Sequence, residues 1–380
     1  MDAHPVAWRL RLPRRTLIWG AVGLAPALLS LLWGLLNPAQ SPEAFGLARK
    51  ALGAFGLAAG FALLGARGWL PPFVARRLVS LVLVLVGAST LVFGALRLAP
   101  GDPVDAILGE QASAEARDAL TAALCLDRSL LAQYNTCFWD AVLDGSLGRT
   151  FDVVPEPVID LLAAHFPATA ELALVGLAVA MLVAFPLGLL AALKRGTLVD
   201  HGASVVALLG VATPAFWLGP MLLLLFTVGL DWLPSPAATD RPLAALVLPA
   251  FTLGTALAGK LTRMVRASVL EVAGEDFVTT ARAKGVGEGG VWVGHILRNA
   301  LLPVITVLGM QFGALLTGAI VTEKVFARPG IGTLLLDAIQ RRDYPTVQGT
   351  VLLVATTYVV VNLLVDLLYA VADPRVRFAR

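Results

Sequence analysis

Charge is scarce in this chain, and so are the residues that most enzymes use. Only 14% of the residues are Asp, Glu, Lys or Arg, against about a quarter in an ordinary soluble domain. The four histidines, His4, His165, His201 and His295, fall in four separate stretches. No H-E-x-x-H, G-x-S-x-G or Walker-type glycine loop occurs, so the sequence shows no metal-protease site, nucleophile elbow or nucleotide-hydrolysing loop. No low-complexity tract and no repeat of roughly 20–50 residues is present. The net charge of +3 is accounted for by arginines beside apolar runs, which leaves no need for a nucleic-acid partner.

What is there is oil. Hydrophobic residues make up 58% of the chain and the mean hydropathy is +0.80, which places it among membrane proteins. Several nearly uncharged stretches are long enough to cross a hydrocarbon core of about 30 Å at about 1.5 Å per residue. Backbone groups in lipid must satisfy one another, and nothing alternates as a membrane barrel would, so the spans are expected as helices. Candidate spans are read at about 16–36, 47–66, 78–98, 167–192, 202–226, 246–268, 302–322 and 349–372. The second is glycine-rich and shadowed by Arg49 and Lys50.

Lys and Arg set the expected orientation. Arg9, Arg11, Arg14 and Arg15 precede the first span. Counting alternately, Arg67, Arg76 and Arg77, then Lys194 and Arg195, then Lys260 to Arg298, then the tail arginines share its side. Both termini are therefore expected in the cytoplasm, although Arg49 and Lys50 run against that pattern locally. The arginines before an apolar run resemble a signal sequence. The run is too long for one and no A-x-A site follows, so an uncleaved anchor is expected.

The organisation expected is an N-terminal two-span hairpin at 1–72, ending in "WLPPF", and a six-span core at 73–380. Within the core lies an extramembrane segment, 99–165, with amphipathic stretches such as "SLLAQYNTCFWDAVLDG". It carries both cysteines, Cys125 and Cys137. A disulfide is one reading on an oxidising face; two free, partly buried thiols are the other. Pro186, Pro214 and Pro220 are expected to kink their spans. Gly309, Gly313 and Gly318 in "GMQFGALLTGAI" are spaced for close helix approach.

Polar groups at membrane depth are few: Glu171, Gln311, Thr317, Asn362 and Asp366. Glu171 and Glu323 lie near span ends, where a solvated role is equally open. Asn362 and Asp366, four apart on one face, suit an interhelical hydrogen bond.

One polar stretch stands among the apolar runs: "GEDFVTTARAKGVGEGG", residues 274–290. Gly274 precedes two acids, Glu275 and Asp276, suited to a helix N-terminus. Arg282 and Lys284 occupy the last turn, and Gly285 sits where a residue past the C-cap belongs. The middle is small and neutral, with Thr279, Thr280, Ala281 and Ala283. Such a helix can seat in a cleft of another protein, or lie on the surface as a solvated loop helix.

The stretch "TTARAKGVGEGGVWVGHILRNALLP" resembles the cytoplasmic EAA loop of ABC importer permeases of the dipeptide/oligopeptide/nickel group. Aligned on Gly285, the E-A-A positions are Thr279, Thr280 and Ala281. The later I-x-L-P positions are His295, Ile296, Leu297 and Arg298, with a proline following as Pro303. Ala281, Gly285 and Leu297 match the general pattern, and the subgroup form A-R-A-K-G then H-x-L-R-N-A-L-x-P is matched almost throughout. Further resemblance lies in "RRLVSLVLVLVGASTLVFGALRLAPGDPVDAILG", "HFPATAELAL", "TPAFWLG", "VTEKVFARPGIGTLLLDAIQRRDYPTVQG" and "LLYAVADPRVRF". It covers about 73–380 and leaves 1–72 aside. Glu288 and its glycines depart from the basic residues that relatives often carry there.

The resemblance implies an all-α integral membrane protein, a six-span type I ABC importer permease core with the hairpin added. It implies a bacterial inner-membrane subunit, itself no enzyme, working with a second homologous permease, two ABC ATPase subunits and an external substrate-binding protein. This chain would bind no cofactor; ATP and Mg would be used by the ATPases. The coupling loop would be 269–303. Its helix, with Glu275, Asp276, Phe277, Thr279, Thr280, Ala281, Arg282, Ala283, Lys284 and Gly285, would seat in the ATPase. Segments 99–165 and 323–348 would face the binding protein. Thr213, Pro214, Phe216, Gln311 and Thr317 would line the pathway. Substrates of similar permeases range from dipeptides to nickel chelates. A stand-alone secondary transporter or channel is the alternative, and it would call for inverted repeats and ion sites in broken helices.

Overall fold

The computed structural model describes residues 42–66, 72–109, 112–152, 154–235 and 242–372. These residues are helical, with no extended strand among them. Helices long and apolar enough to cross a membrane are Val74–Leu98, Val158–Leu193, Pro242–Ala273, Glu288–Gly309 and Tyr344–Asp366. A sixth span results if the bent pair Leu198–Ala212 and Ala215–Gly229 counts as one. Five or six apolar helices make this a multi-pass membrane protein; they overlap the spans expected of the core, the one expected at 302–322 meeting Glu288–Gly309 only at its start. The span expected at 16–36 lies outside the described residues. The one expected at 47–66 falls on a helix, Pro42–Ala66, whose apolar part is only Gly53–Leu64. Lys50 and its neighbours take up the rest.

The chain divides into two compact units, 1–155 and 156–380, so the boundary expected at 72/73 falls inside the first. That unit contains α1 (Pro42–Ala66), α2 (Pro72–Leu98), α3 (Pro103–Leu108), α4 (Ala114–Ala123) and α5 (residues 130–143). The middle of α5, Gln133–Trp139, is wound as a π-helix. Short helices start on their own side chains: Asp102 accepts from the Val104 N–H, and Ser113 and Ser129 cap α4 and α5 the same way. Cys125 and Cys137 are free thiols here, both half-buried, so the bridge reading is not realised in this structure. Burial, then the hydrogen bond with Cys137, pushes the Cys125 thiol up to about 11.

The second unit holds α6 (Val158–Leu193), α7 (Leu198–Ala212), α8 (residues 215–229), α9 (Pro242–Ala273), α10 (Asp276–Ala283), α11 (residues 288–325), α12 (Ile331–Arg341) and α13 (Tyr344–Ala372). Pro167 and Pro186 sit inside α6 without ending it. Pro214 does end a helix. It forces Thr213 into an extended conformation (φ −82°, ψ 119°) because a residue before proline cannot comfortably be helical, and α7 and α8 meet at 103°.

The core is organised around α9, which packs against α6, α7 and α11. Small residues bring backbones into contact. A Cβ on Gly259 would lie 2.2 Å from the Ala207 carbonyl oxygen of α7, and one on Gly254 2.6 Å from that of Gly176 in α6. Without an aqueous driving force between helices, such close packing is a main source of association in lipid. Buried Leu172, Ala180 and Ala184 of α6, Leu253, Leu257 and Leu261 of α9, and Val291, Ile296 and Ala300 of α11 form one continuous core.

Gly259→Val is expected to push α7 off α9 at a cost of about 1–3 kcal/mol, the usual penalty of overpacking. Gly202→Ala, with nothing within 4 Å of its Cβ position, should leave thermal unfolding of the detergent-solubilised protein unchanged. Equal unfolding midpoints for the two variants would contradict the close approach.

Candidate functional site

The polar stretch forms the eight-residue helix α10. Glu275 stands at its N-cap with extended backbone (ψ 148°) but makes no side-chain cap bond, so its contribution is that of a charge near the helix dipole. The other end closes as a Schellman motif. Gly285 has φ 78°, its N–H donates to the Arg282 carbonyl (2.9 Å) and that of Val286 to Ala281 (3.2 Å). A side chain at Gly285 would be strained in that conformation.

The two faces of α10 differ. Val278 and Ala281 are buried in the core that includes Val291 and Ile296. Phe277 is 41% exposed, and Asp276, Thr279, Thr280, Arg282, Ala283 and Lys284 are exposed beside it. The cluster of small residues is therefore divided: Ala281 faces inward, and Thr279, Thr280 and Ala283 face outward. The departure at Glu288 acquires a partner. Its carboxylate accepts from Arg282 Nε (2.8 Å) and Nη2 (3.3 Å), tying the last turn of α10 to the first of α11. The same hydrogen bond raises the Arg282 pKa.

Behind α10, buried polar contacts fasten the neighbouring helices. Asp200, 4% exposed in the first turn of α7, receives Arg266 Nε (2.6 Å) and Nη2 (2.8 Å) from α9. The Gly196 N–H adds a third bond at 3.0 Å. A two-pronged guanidinium–carboxylate pair of this kind fixes geometry as well as charge. Nearer α10, the Ser268 hydroxyl donates to the Ala300 carbonyl of α11 (2.8 Å). The sequence reading singled out neither Asp200 nor Ser268.

A second buried constellation lies at the far end of α11. Glu323 is fully buried. It accepts from the Thr169 hydroxyl of α6 (2.5 Å) and the backbone N–H groups of Gly332 (2.7 Å) and Thr333 (3.3 Å). Thr169 in turn accepts from the Ile331 N–H (2.8 Å). One acid thus serves as the cap of α12 from another helix, where the orphan N–H groups and the helix dipole favour an anion. A Cβ at Gly330 would lie 2.3 Å from this carboxylate, which explains the glycine. Arg328 pairs with Glu171 alongside. The open reading of Glu323 as solvated is thereby corrected: α12 folds back over it.

The residues expected along the pathway are not gathered at one contact. Thr213 and Pro214 form the break between α7 and α8, with the Thr213 hydroxyl bonded to the Leu209 carbonyl at 2.7 Å. Phe216 is 65% exposed. The approach of α8 to α11 occurs where Gly219 meets Val325 and Phe326, about 20 Å along the helix from Gln311. Gln311 is half-buried and Thr317 exposed, its hydroxyl directed to the Gly313 carbonyl at 3.3 Å. Asn362 donates to the Tyr358 carbonyl of its own helix (2.7 Å). Among the described residues no group of His, Cys, Asp and Glu is placed to hold a metal ion.

Glu323→Ala would strand the Thr169 hydroxyl and two backbone donors in the core. At about 1–3 kcal/mol for each of the three unsatisfied groups, a loss of about 3–9 kcal/mol is expected. It should be seen in thermal unfolding and as faster hydrogen exchange at Gly332 and Thr333. Unchanged protection of those two amides would rule out the capping role.

Comparison with known proteins gives this geometry a setting. The family described as "Binding-protein-dependent transport system inner membrane component" matches residues 184–378, and its N-terminal companion matches 70–173. The dipeptide transport system permease protein DppB of Escherichia coli strain K12 is 43% identical over 335 residues, covering 80% of this chain and 98% of that protein. The di/tripeptide transport system permease protein DppB of Pseudomonas aeruginosa strain UCBPP-PA14 is 42% identical over 339 residues, covering 81% and 99%. Among solved structures, the MetNI methionine ABC transporter in inward facing conformations aligns with 58% of this chain and 100% of its own. Its TM-score is 0.47 at 19% identity. On the family match and the near full-length identity to its relatives, the chain belongs to the binding-protein-dependent inner membrane components, the permease subunits of ABC importers.

Proposed function

We propose that this permease carries short peptides across the bacterial cytoplasmic membrane with both termini inside, and that α10 is the surface through which ATPase subunits drive it. It would act beside a second, homologous permease, above two ATPases that use ATP and Mg, and beneath a binding protein that delivers the solute. Peptide cargo is supported by the names of relatives that match this chain over nearly their whole length. The alternative of a stand-alone carrier or channel gives way to the family assignment.

The observation that carries the coupling role is the two-sidedness of α10. Its outer face offers Phe277 at 41% exposure, and its inner face enters the core shared by α6, α9 and α11 through Val278 and Ala281. A displacement of α10 by closing ATPases would reach the long helices without passing through a flexible link. Arg282 and Glu288 stiffen the exit, and Asp200 and Arg266 hold α7 to α9. The 103° break at Thr213 and Pro214 is where such a movement can be taken up, since a hinge needs only a few residues whose backbone angles change. The ATPases must favour one of two positions of this unit for ATP to do work on it.

Phe277→Asp, placing charge on the outer face, is expected to reduce co-purification of the ATPase subunits at least tenfold and to abolish ATP-dependent dipeptide uptake in proteoliposomes. The unfolding midpoint of the permease should stay unchanged. Ala281→Trp should behave differently and destabilise the permease itself, because that side chain points into the core. Wild-type ATPase retention and uptake by the Phe277 variant would refute the coupling assignment.

A further inference from the structure

The family matches begin at residue 70, and relatives covered over 98% of their length leave a fifth of this chain unmatched, since 80% is aligned. Helix α1 lies in that additional part. It packs along α2 with Ala58 buried between them, while Phe55, Leu57 and Leu63 turn outward at 51%, 60% and 59% exposure. An outward apolar face of this kind suits lipid. The polar end of the helix does something else.

Lys50 is 13% exposed, and its ammonium reaches Asp140 Oδ1 of α5 at 2.6 Å. It also donates to the Asn135 backbone carbonyl, in the π-helical part of the same element. One turn earlier, Gly46 comes so close that a Cβ would lie 2.4 Å from Asn135 Nδ2. Two residues four apart on α1, and therefore on one face, thus close on one element. From the other side α5 is held by α2. The Tyr134 hydroxyl bonds Thr90 (2.7 Å), and Arg97 Nε donates to Gln133 (2.9 Å) while stacking 3.5 Å over Phe93. These contacts bring the start of α1 to the end of α2, so the two helices run antiparallel.

We infer that α1 is a brace added to the permease scaffold, which fixes α5 in its place through Lys50 and Gly46 and so sets how firmly the delivery protein engages that segment. The inference rests on the reading above, in which residues 99–165 face the outside. It accounts for a basic residue on the side where the positive-inside pattern disfavours one: Lys50 is a paired, largely covered cation, not a topology signal. The covered ammonium is compensated by Asp140, itself half exposed, and by the Asn135 carbonyl, so Lys50 is the member of the pair that depends on the contact.

The test uses the full chain in lipid nanodiscs, assembled with its second permease and ATPases, and the binding protein encoded with them. Lys50→Met should raise hydrogen exchange across 130–143 at least fivefold. The concentration of binding protein that half-stimulates ATP hydrolysis should rise about five- to tenfold, with basal hydrolysis unchanged. Exchanging the charges, Lys50→Asp with Asp140→Lys, should restore most of both. If Lys50→Met alters neither exchange nor half-stimulation, or alters exchange alone, the brace is wrong while the permease reading stands. If the wild-type assembly is not stimulated by binding protein at all, the reading on which the brace rests falls with it.

Discussion

The packing of α9 directly against the backbones of its neighbours is the constraint on which the second unit depends. Gly254 and Gly259 bring the α6 and α7 main chains within contact of the α9 main chain, and no flexible side chain lies between to absorb a shift. Close-packed interiors have little compressibility, so displacement of one helix must be passed on or must break the contact. The last turn of α9 leads straight into α10, and α10 returns its apolar side to the same core. A surface helix fastened in this way is held to the spans by its own buried side chains, unlike a solvated loop helix attached only by its ends.

Buried charge is used sparingly, and Asp200 and Glu323 place it where packing alone would leave an element loose. Apolar side chains have no directional preference, so two greasy helices can slide along each other with little change in contact. Asp200 and Arg266 remove that freedom between α7 and α9, because a bidentate pair is satisfied at only one register. Glu323 does the same for α12. The acid is in the core because three donors there need it, two of them main-chain groups that would otherwise be orphaned at a helix start. Burying an unpaired carboxylate would be costly; here the carboxylate completes a helix start that Thr333 already caps locally through the Gly330 N–H.

Local signals were legible in the sequence and distant ones were not. The α10 helix could be placed because its acids, its basic last turn and Gly285 all lie within a dozen residues, and the Schellman bonds follow from them. The core spans could be placed by length and apolar content. Which way Ala281 points depends on Val291 and Ile296, which a count of small residues does not reveal. Glu323 looked like a charge at a span end. Its hydrogen-bond partner Thr169 is 154 residues away, and no periodicity connects them. Asp200 was invisible for the same reason, with Arg266 66 residues distant. The span expected at 47–66 narrows to Gly53–Leu64, and the partner that draws Lys50 out of it, Asp140, lies 90 residues on.

Glu288 shows how a departure from a family pattern acquires meaning only in three dimensions. Against the basic residues that the family resemblance leads one to expect, an acid after Gly285 reads as a weakened docking surface. In the fold it faces Arg282 of the same loop, six positions back, and the three glycines around it give the turn room to close that pair. An exposed ion pair contributes little to stability, so holding the protein together is a poor account of it. Its effect is geometric: the C-terminus of α10 and the start of α11 are linked across Gly285, the one residue of the turn with a left-handed backbone. The pair thus adds a second contact between the two helices to the buried one that Val278 and Ala281 make with Val291 and Ile296.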